Sequence, residues 1–321
     1  AFDRRSIGTN LDEAIALFEE TTRLDPLFGP AYLSLAKSYA LLPDYRDAPA
    51  DESHKLAIDT VERGIAVDDS IRDVSRMIYG LVYNKQRQPL KAEKAYQQAI
   101  QAKIVDSTAF NWYARMLAGV GRSDDALEQA LAAQRLDPTS SVINTLVATM
   151  YLWVNDSENA GIYFQRSSQL GEGSQYEYFG YALMLMRQNR LQEAISLAQS
   201  GAAINGGNVS WVQPVFAALA DPSQRADAIV ALDAAMNSGR LDPRVIMAMR
   251  VFLDDVDGAM RIAKELAGPG MHRPMDLIFL PELRALREHP EFFELMDMLG
   301  VQEYWDKNDC VWLDDSISCP D

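Results

Sequence analysis

Few residues in this sequence could do covalent or metal chemistry, and their spacing keeps them apart. There are three histidines, His54, His272 and His289. None stands at metal-ligand spacing from a second histidine, a cysteine or a carboxylate. The cysteines are Cys310 and Cys319, close together at the end of the chain. They read either as a disulfide closing a short terminal loop, which persists only in an oxidising compartment, or as two unrelated thiols on a tail. With no histidine pair nearby they are not a zinc site. The glycines around Gly171 and Gly207 sit in turns between helices, not between a strand and a helix, so no phosphate loop is predicted. There is no G-x-S-x-G elbow either. Glu19-Glu20 and Asp124-Asp125 fall at helix faces or starts, where solvent and the helix dipole account for them. The acceptor patterns at Asn155 and Asn208 fall in turns and read as coincidence. The chain is therefore expected to have no catalytic residue, no metal site and no cofactor.

What is left is recognition. Arg76, Tyr83, Asn111, Arg115, Thr149, Trp153, Tyr176, Phe179 and Arg187 occupy positions on successive helices that packing does not claim. Arginines among aromatic side chains, on an acidic protein, suit a peptide that carries a carboxylate or an extended segment. The aromatic members, Trp153, Tyr176 and Phe179, can equally be read as packing between turns of the array.

The elements that must position these residues are helices in a repeat. Ala114, Ala148 and Ala182 share one slot, and Leu117, Tyr151 and Leu185 the next. Gly121, Asn155 and Asn189 follow where the chain must turn, because Gly and Asn tolerate left-handed backbone. Ala126, Ala160 and Ala194, then Ala130, Phe164 and Ala198, complete the pattern at a period of about 34 residues. Ala92 and Ala228 keep the same phase, so five consecutive units stay in register. Small residues let antiparallel helices approach, and a large residue from the facing helix fills the hole. Residues 11–26 read as a helix that Asp25-Pro26 stops. A helix is expected over 30–42, an insertion loop with two prolines over about 42–50, and a helix from Asp51 to Val67. The last clear unit lies near 243–266. From Gly268 the period is lost, and residues 275–299 are dense in apolar and aromatic side chains. The predicted organisation is thus an array of about seven to eight helix pairs over 1–267 and a capping segment over 268–321.

This pattern resembles the tetratricopeptide repeat family over about 11–266. The resemblance implies an all-α superhelix whose concave groove takes a protein or peptide. The lysines of the family's carboxylate clamp for chaperone tails are absent, which speaks against that class of partner. The run Leu283–Arg287 with His289, Pro290 and Phe292 looks like the ending of one bacterial group of such arrays. Leu299-Gly300 with Tyr304-Trp305 and a terminal cysteine look like its continuation. That group comprises the sensor halves of membrane-tethered winged-helix regulators and repeat-bearing adenylate or guanylate cyclases. It implies an output domain upstream, and hence a scaffold or a small-molecule sensor in a bacterial signalling protein. The first residues open almost at a second repeat helix, so the N-terminus is expected to be a cut or processing point.

Charge and hydropathy narrow the partners. The net charge of −16 disfavours tracking a phosphate backbone or an anionic membrane surface. Hydrophobic residues make up 48% of the chain, yet no apolar run approaches the roughly 18 residues a membrane span needs. The opening Ala1–Arg5 is charged and lacks the apolar core of a signal peptide. The cysteine pair tilts the expected location towards an extracytoplasmic compartment.

Overall fold

The structure is a computed structural model and describes residues 10–46, 48–171, 175–204, 207–238, 241–268, 275–313 and 315–320; the side chains of Gln175 and Tyr176 lie outside the described set. The chain divides into two compact units, at Met116 and Leu117.

In the first unit α1 (Asn10–Leu24) is followed by α2 (Gly29–Tyr45), α3 (Ala50–Val67), α4 (Arg76–Lys85), α5 (Pro89–Ile100) and α6 (Ser107–Gly119), whose last turn passes into the second unit. Helix α2 packs on α3 and α4 on α5. Close approach depends on small residues. A Cβ built on Gly80 would come within 2.7 Å of the Tyr96 ring, so α4 and α5 meet where a side chain is missing. First helices also lock onto the second helix before them: the hydroxyls of Tyr39, Tyr79 and Tyr113 donate to Glu19, Glu62 and Glu93. Burial and the facing carboxylate both raise the Tyr39 and Tyr79 phenols above their ordinary range.

The insertion expected over 42–50 is shorter than that. Helix α2 continues through Pro43 to Tyr45, and only residues 46–49 separate it from α3. Proline holds the φ that a helix uses and loses one N–H bond. The extra turn brings Asp44 within 2.6 Å of the buried Lys85 ammonium, a partner that a loop would not hold in place.

The second unit contains α7 (Ser123–Leu136), α8 (Ser141–Trp153), α9 (Ser157–Leu170), α10 (Gln175–Arg187), α11 (Leu191–Ala203), α12 (Val212–Ala220), α13 (Arg225–Asn237), α14 (Pro243–Phe252) and α15 (Val256–Ala267). Ala126, Ala160, Ala194 and Ala228 are completely buried, as close helix contact at that slot requires. The turns follow the pattern too. Gly121, Asn155 and Asn189 have φ of 87°, 61° and 59°. The next residue's N–H reaches back to the carbonyls of Leu117, Tyr151 and Leu185, which closes a Schellman motif and satisfies orphan carbonyls at the helix end. Arg87, one period earlier, takes the same conformation with φ 60°, although an arginine gives no sequence signal for it. Burial pushes the Arg87 guanidinium down to about 10.

The rest of the second unit begins with 3-10 turns at Asp276–Phe279 and Pro281–Leu283. Helices α16 (Arg284–Arg287), α17 (Phe292–Met298) and α18 (Val301–Lys307) follow, then a hairpin of β1 (Val311–Leu313) and β2 (Ser316–Ser318). Val311 pairs with Ser318 and Leu313 with Ser316. Cys310 and Cys319 are disulfide-bonded immediately outside those pairs; closing a loop of this size contributes roughly 2–3 kcal/mol in the chain-entropy picture. Trp312 stacks on Trp305 at 5.4 Å and lies 5.2 Å from Phe292. The punctuation expected at 269–274 lies outside the described residues.

Gly121 shows why one turn uses glycine where the next two use asparagine. A Cβ there would come within 2.9 Å of both Phe279 and Ile317. Gly121→Asn keeps a residue tolerant of positive φ, so its cost isolates that contact. It should destabilise the second unit by about 1–3 kcal/mol, the range for overpacking, whereas Asn155→Gly should cost a few tenths. Denaturant unfolding of the two variants checks this, and equal effects would refute the contact.

Candidate functional site

The inner face of the first helices is where a partner was expected, and the structure places each named residue on it differently. Arg76 begins α4 and lies 5.6 Å from the Tyr79 ring centroid. Tyr83 is half-buried, with the Lys91 ammonium 5.8 Å from its ring. Asn111 is buried on α6, and its Oδ1 accepts from Nε of Arg115 at 3.3 Å. Arg115 itself is half-buried, and its terminal nitrogens meet no carboxylate among the described residues. These four belong to the first unit.

Farther along, the expectation needs correction. Thr149 is buried, and its hydroxyl donates back to the Thr145 carbonyl of its own helix. Phe179 is buried among α10, α11, α12 and α14. Trp153 is buried and donates its indole N–H to the Asp276 carbonyl at 3.0 Å. Arg187 holds the Glu282 carboxylate with two nitrogens, one of them at 2.8 Å, and donates to the Leu152 carbonyl at 3.0 Å. The side chain of Tyr176 lies outside the described residues. Thr149, Trp153 and Phe179 therefore offer no surface to a partner.

For Trp153 and Arg187 the physical reason is the segment after α15. Leu277, Ile278, Leu280 and Leu283 are essentially unexposed, so the chain's own apolar segment fills the face that Trp153 and Arg187 line. Its neighbours are tied down in the same way. Trp305 donates to the Val120 carbonyl at 2.8 Å, and Arg122 donates to the Tyr304 hydroxyl at 2.9 Å. The sequence did contain a signal: a linker reading Met275-Asp276-Leu277-Ile278-Phe279-Leu280 is too apolar to lie in water. The chemistry of this face is nonetheless visible in the contact. An indole captures a main-chain carbonyl, and a guanidinium fork captures a carboxylate.

Two histidines can be placed and one cannot. His54 is buried in α3, while His289 Nε2 lies 3.0 Å from Asp257 Oδ1. His272 is outside the described residues. Among the described residues no three histidine, cysteine or acidic side chains converge to hold a metal ion, and no helix is long and apolar enough to cross a membrane.

A tetratricopeptide repeat profile matches residues 80–141. No curated protein matches the chain. Among solved structures, human IFIT1 bound to m7Gppp-AAAA aligns with a TM-score of 0.55 at 15% identity, covering 94% of this chain and 68% of that one. Pseudomonas aeruginosa PilF aligns at 0.46 and 15% identity, over 84% of this chain and 96% of that one. Yeast Tom70 aligns at 0.42 and 16% identity, over 93% and 60%. At these identities the IFIT1 likeness speaks to fold alone. The matched stretch carries tetratricopeptide repeats, and the five phased units continue its period in an all-α solenoid fold.

Proposed function

We propose that the chain is a non-enzymatic scaffold that binds a protein or peptide segment carrying a carboxylate, with Arg115 and Asn111 as its anchor. The observation that carries this reading is Arg115 on α6 of the first unit beside the buried Asn111, and Arg187 in the second unit shows the chemistry such a group performs. Arg187 already holds a glutamate from the C-terminal segment in a fork. Arg115 presents the same group, braced by Asn111 through Nε, with its terminal nitrogens free of a carboxylate among the described residues. Arginine suits this task because its planar fork matches a carboxylate and stays charged. The acidic surface supports a protein partner over nucleic acid.

Within this reading the chain serves as the interaction half of a bacterial signalling or regulatory protein, which the ending around Leu286 and Trp305 supports. An extracytoplasmic location fits the Cys310–Cys319 bond. A second reading is a small-molecule sensor coupled to an upstream output domain, which the resemblance of that same ending implies.

The test is a peptide array probed with the intact protein and with Arg115→Ala. Loss of a charged hydrogen-bonded anchor should weaken binding of carboxylate-bearing ligands by about tenfold or more, corresponding to roughly 1.5–3 kcal/mol. Arg115→Lys should recover only part of it. Ligands that bind wild type and Arg115→Ala equally would remove Arg115 from the site.

A further inference from the structure

Residues 275–283 sit on the inner face of the second unit in the manner of a bound peptide. They form two short 3-10 turns, not a full helix of the array. The face reads them through groups that other peptides also carry. Trp153 takes a main-chain carbonyl, at Asp276, and Arg187 takes a carboxylate, at Glu282. Between those two clasps Leu277, Ile278 and Leu280 are at most 1% exposed. The repeats beneath have their own packing: α8 lies on α9 and α10 on α11, with Ala148, Ala160, Ala182 and Ala194 buried. In a repeat array a peripheral element of this kind can leave while neighbour contacts hold the rest.

We propose that the inner face of the second unit is a peptide-binding site which the chain occupies with its own residues 275–283, and that an outside segment of the same chemistry competes for it. The partner's pattern is read from the seated residues: apolar, apolar, any, apolar, any, acidic, after Leu277, Ile278, Leu280 and Glu282. Self-occupancy keeps an apolar face from standing open to water when no partner is present. It also sets the partner's threshold. A tethered segment is present at a high effective concentration, and a partner's apparent affinity scales with the fraction of molecules whose face is open. The site stands apart from Arg115, which lies in the first unit.

The test adds a fluorescent peptide spanning Met275–Leu283 to the full chain, and takes hydrogen exchange of the chain's own residues 277–283 as the measure of opening. Glu282→Ala weakens only the tethered copy. Losing one charge-assisted clasp that keeps some access to water should raise exchange about fivefold to tenfold. The peptide's apparent affinity should rise by the same factor. Arg187→Ala opens the face in the same way but takes the clasp from the peptide as well. Exchange should therefore rise while affinity stays within about twofold of wild type. Both changes fall on side chains at the rim of the contact, 13% and 22% exposed, so the repeats should stay folded. A segment that serves only as packing would give faster exchange in both variants and tighter peptide binding in neither. That result overturns the proposal, as do equal gains in affinity in the two variants or a peptide that fails to bind Glu282→Ala at all.

Discussion

Replacing Arg287 by alanine should cost the second unit about 3–5 kcal/mol, the range for removing one partner of a buried ion pair. The residue is almost fully buried, and its guanidinium makes four contacts. Nη1 donates to the Ile278 and Leu280 carbonyls, both at 2.6 Å. Nε and Nη2 hold the two oxygens of Asp315 at 2.7 and 2.6 Å. One side chain thereby joins the 3-10 turns on the inner face to the terminal hairpin. Alanine would leave two carbonyls unmet and a partly buried carboxylate unpaired. Arg287→Lys should recover little, since a point charge cannot serve two carbonyls and a carboxylate fork at once. In the double variant Arg287→Ala/Asp315→Ala the loss should be smaller than the sum of the two singles, because the second change removes the stranded charge. Hydrogen exchange of residues 275–283 together with denaturant unfolding reads this out. A loss below about 1 kcal/mol would show that Arg287 is a solvated bystander.

The repeat was legible because its cause is local. A helix pair that must approach closely needs alanine at fixed intervals, so Ala126, Ala160 and Ala194 announced their burial. The turns were legible where glycine or asparagine answers a left-handed backbone, at Gly121, Asn155 and Asn189. Arg87 adopts the same conformation without a telltale side chain, so its role emerges only from the 34-residue phase. The site was less readable because its determinants are far apart in sequence. Trp153 contacts a carbonyl 123 residues away, and Arg187 a carboxylate 95 residues away. Periodicity identifies which helix face is inner; it cannot say that the chain's own later segment covers it.

Trp153→Ala should be the most damaging single change on the inner face of α8, and its damage should be local. Large-to-small replacement of a buried tryptophan costs about 3–5 kcal/mol, and here the Asp276 carbonyl also loses its donor. The cost falls on the contact between α8 and residues 275–283, while the contacts of α8 with α9 rest on other residues such as Ala148 and Ala160. Repeat arrays are stabilised by neighbour contacts and can open piecewise. The expected sequence on heating is therefore release of the C-terminal segment first, with helical circular dichroism from the repeats largely retained. Limited proteolysis should then cut between 275 and 287 in Trp153→Ala under conditions where the unaltered protein resists. Arg187→Ala should open the same segment to a smaller degree, because Glu282 keeps partial access to water and the remaining contacts are apolar. If Trp153→Ala instead melts in one step with no new cleavage in 275–287, the segment and the repeats form a single cooperative body. Cleavage there would establish that the segment is held on the inner face by the contact that Trp153 makes.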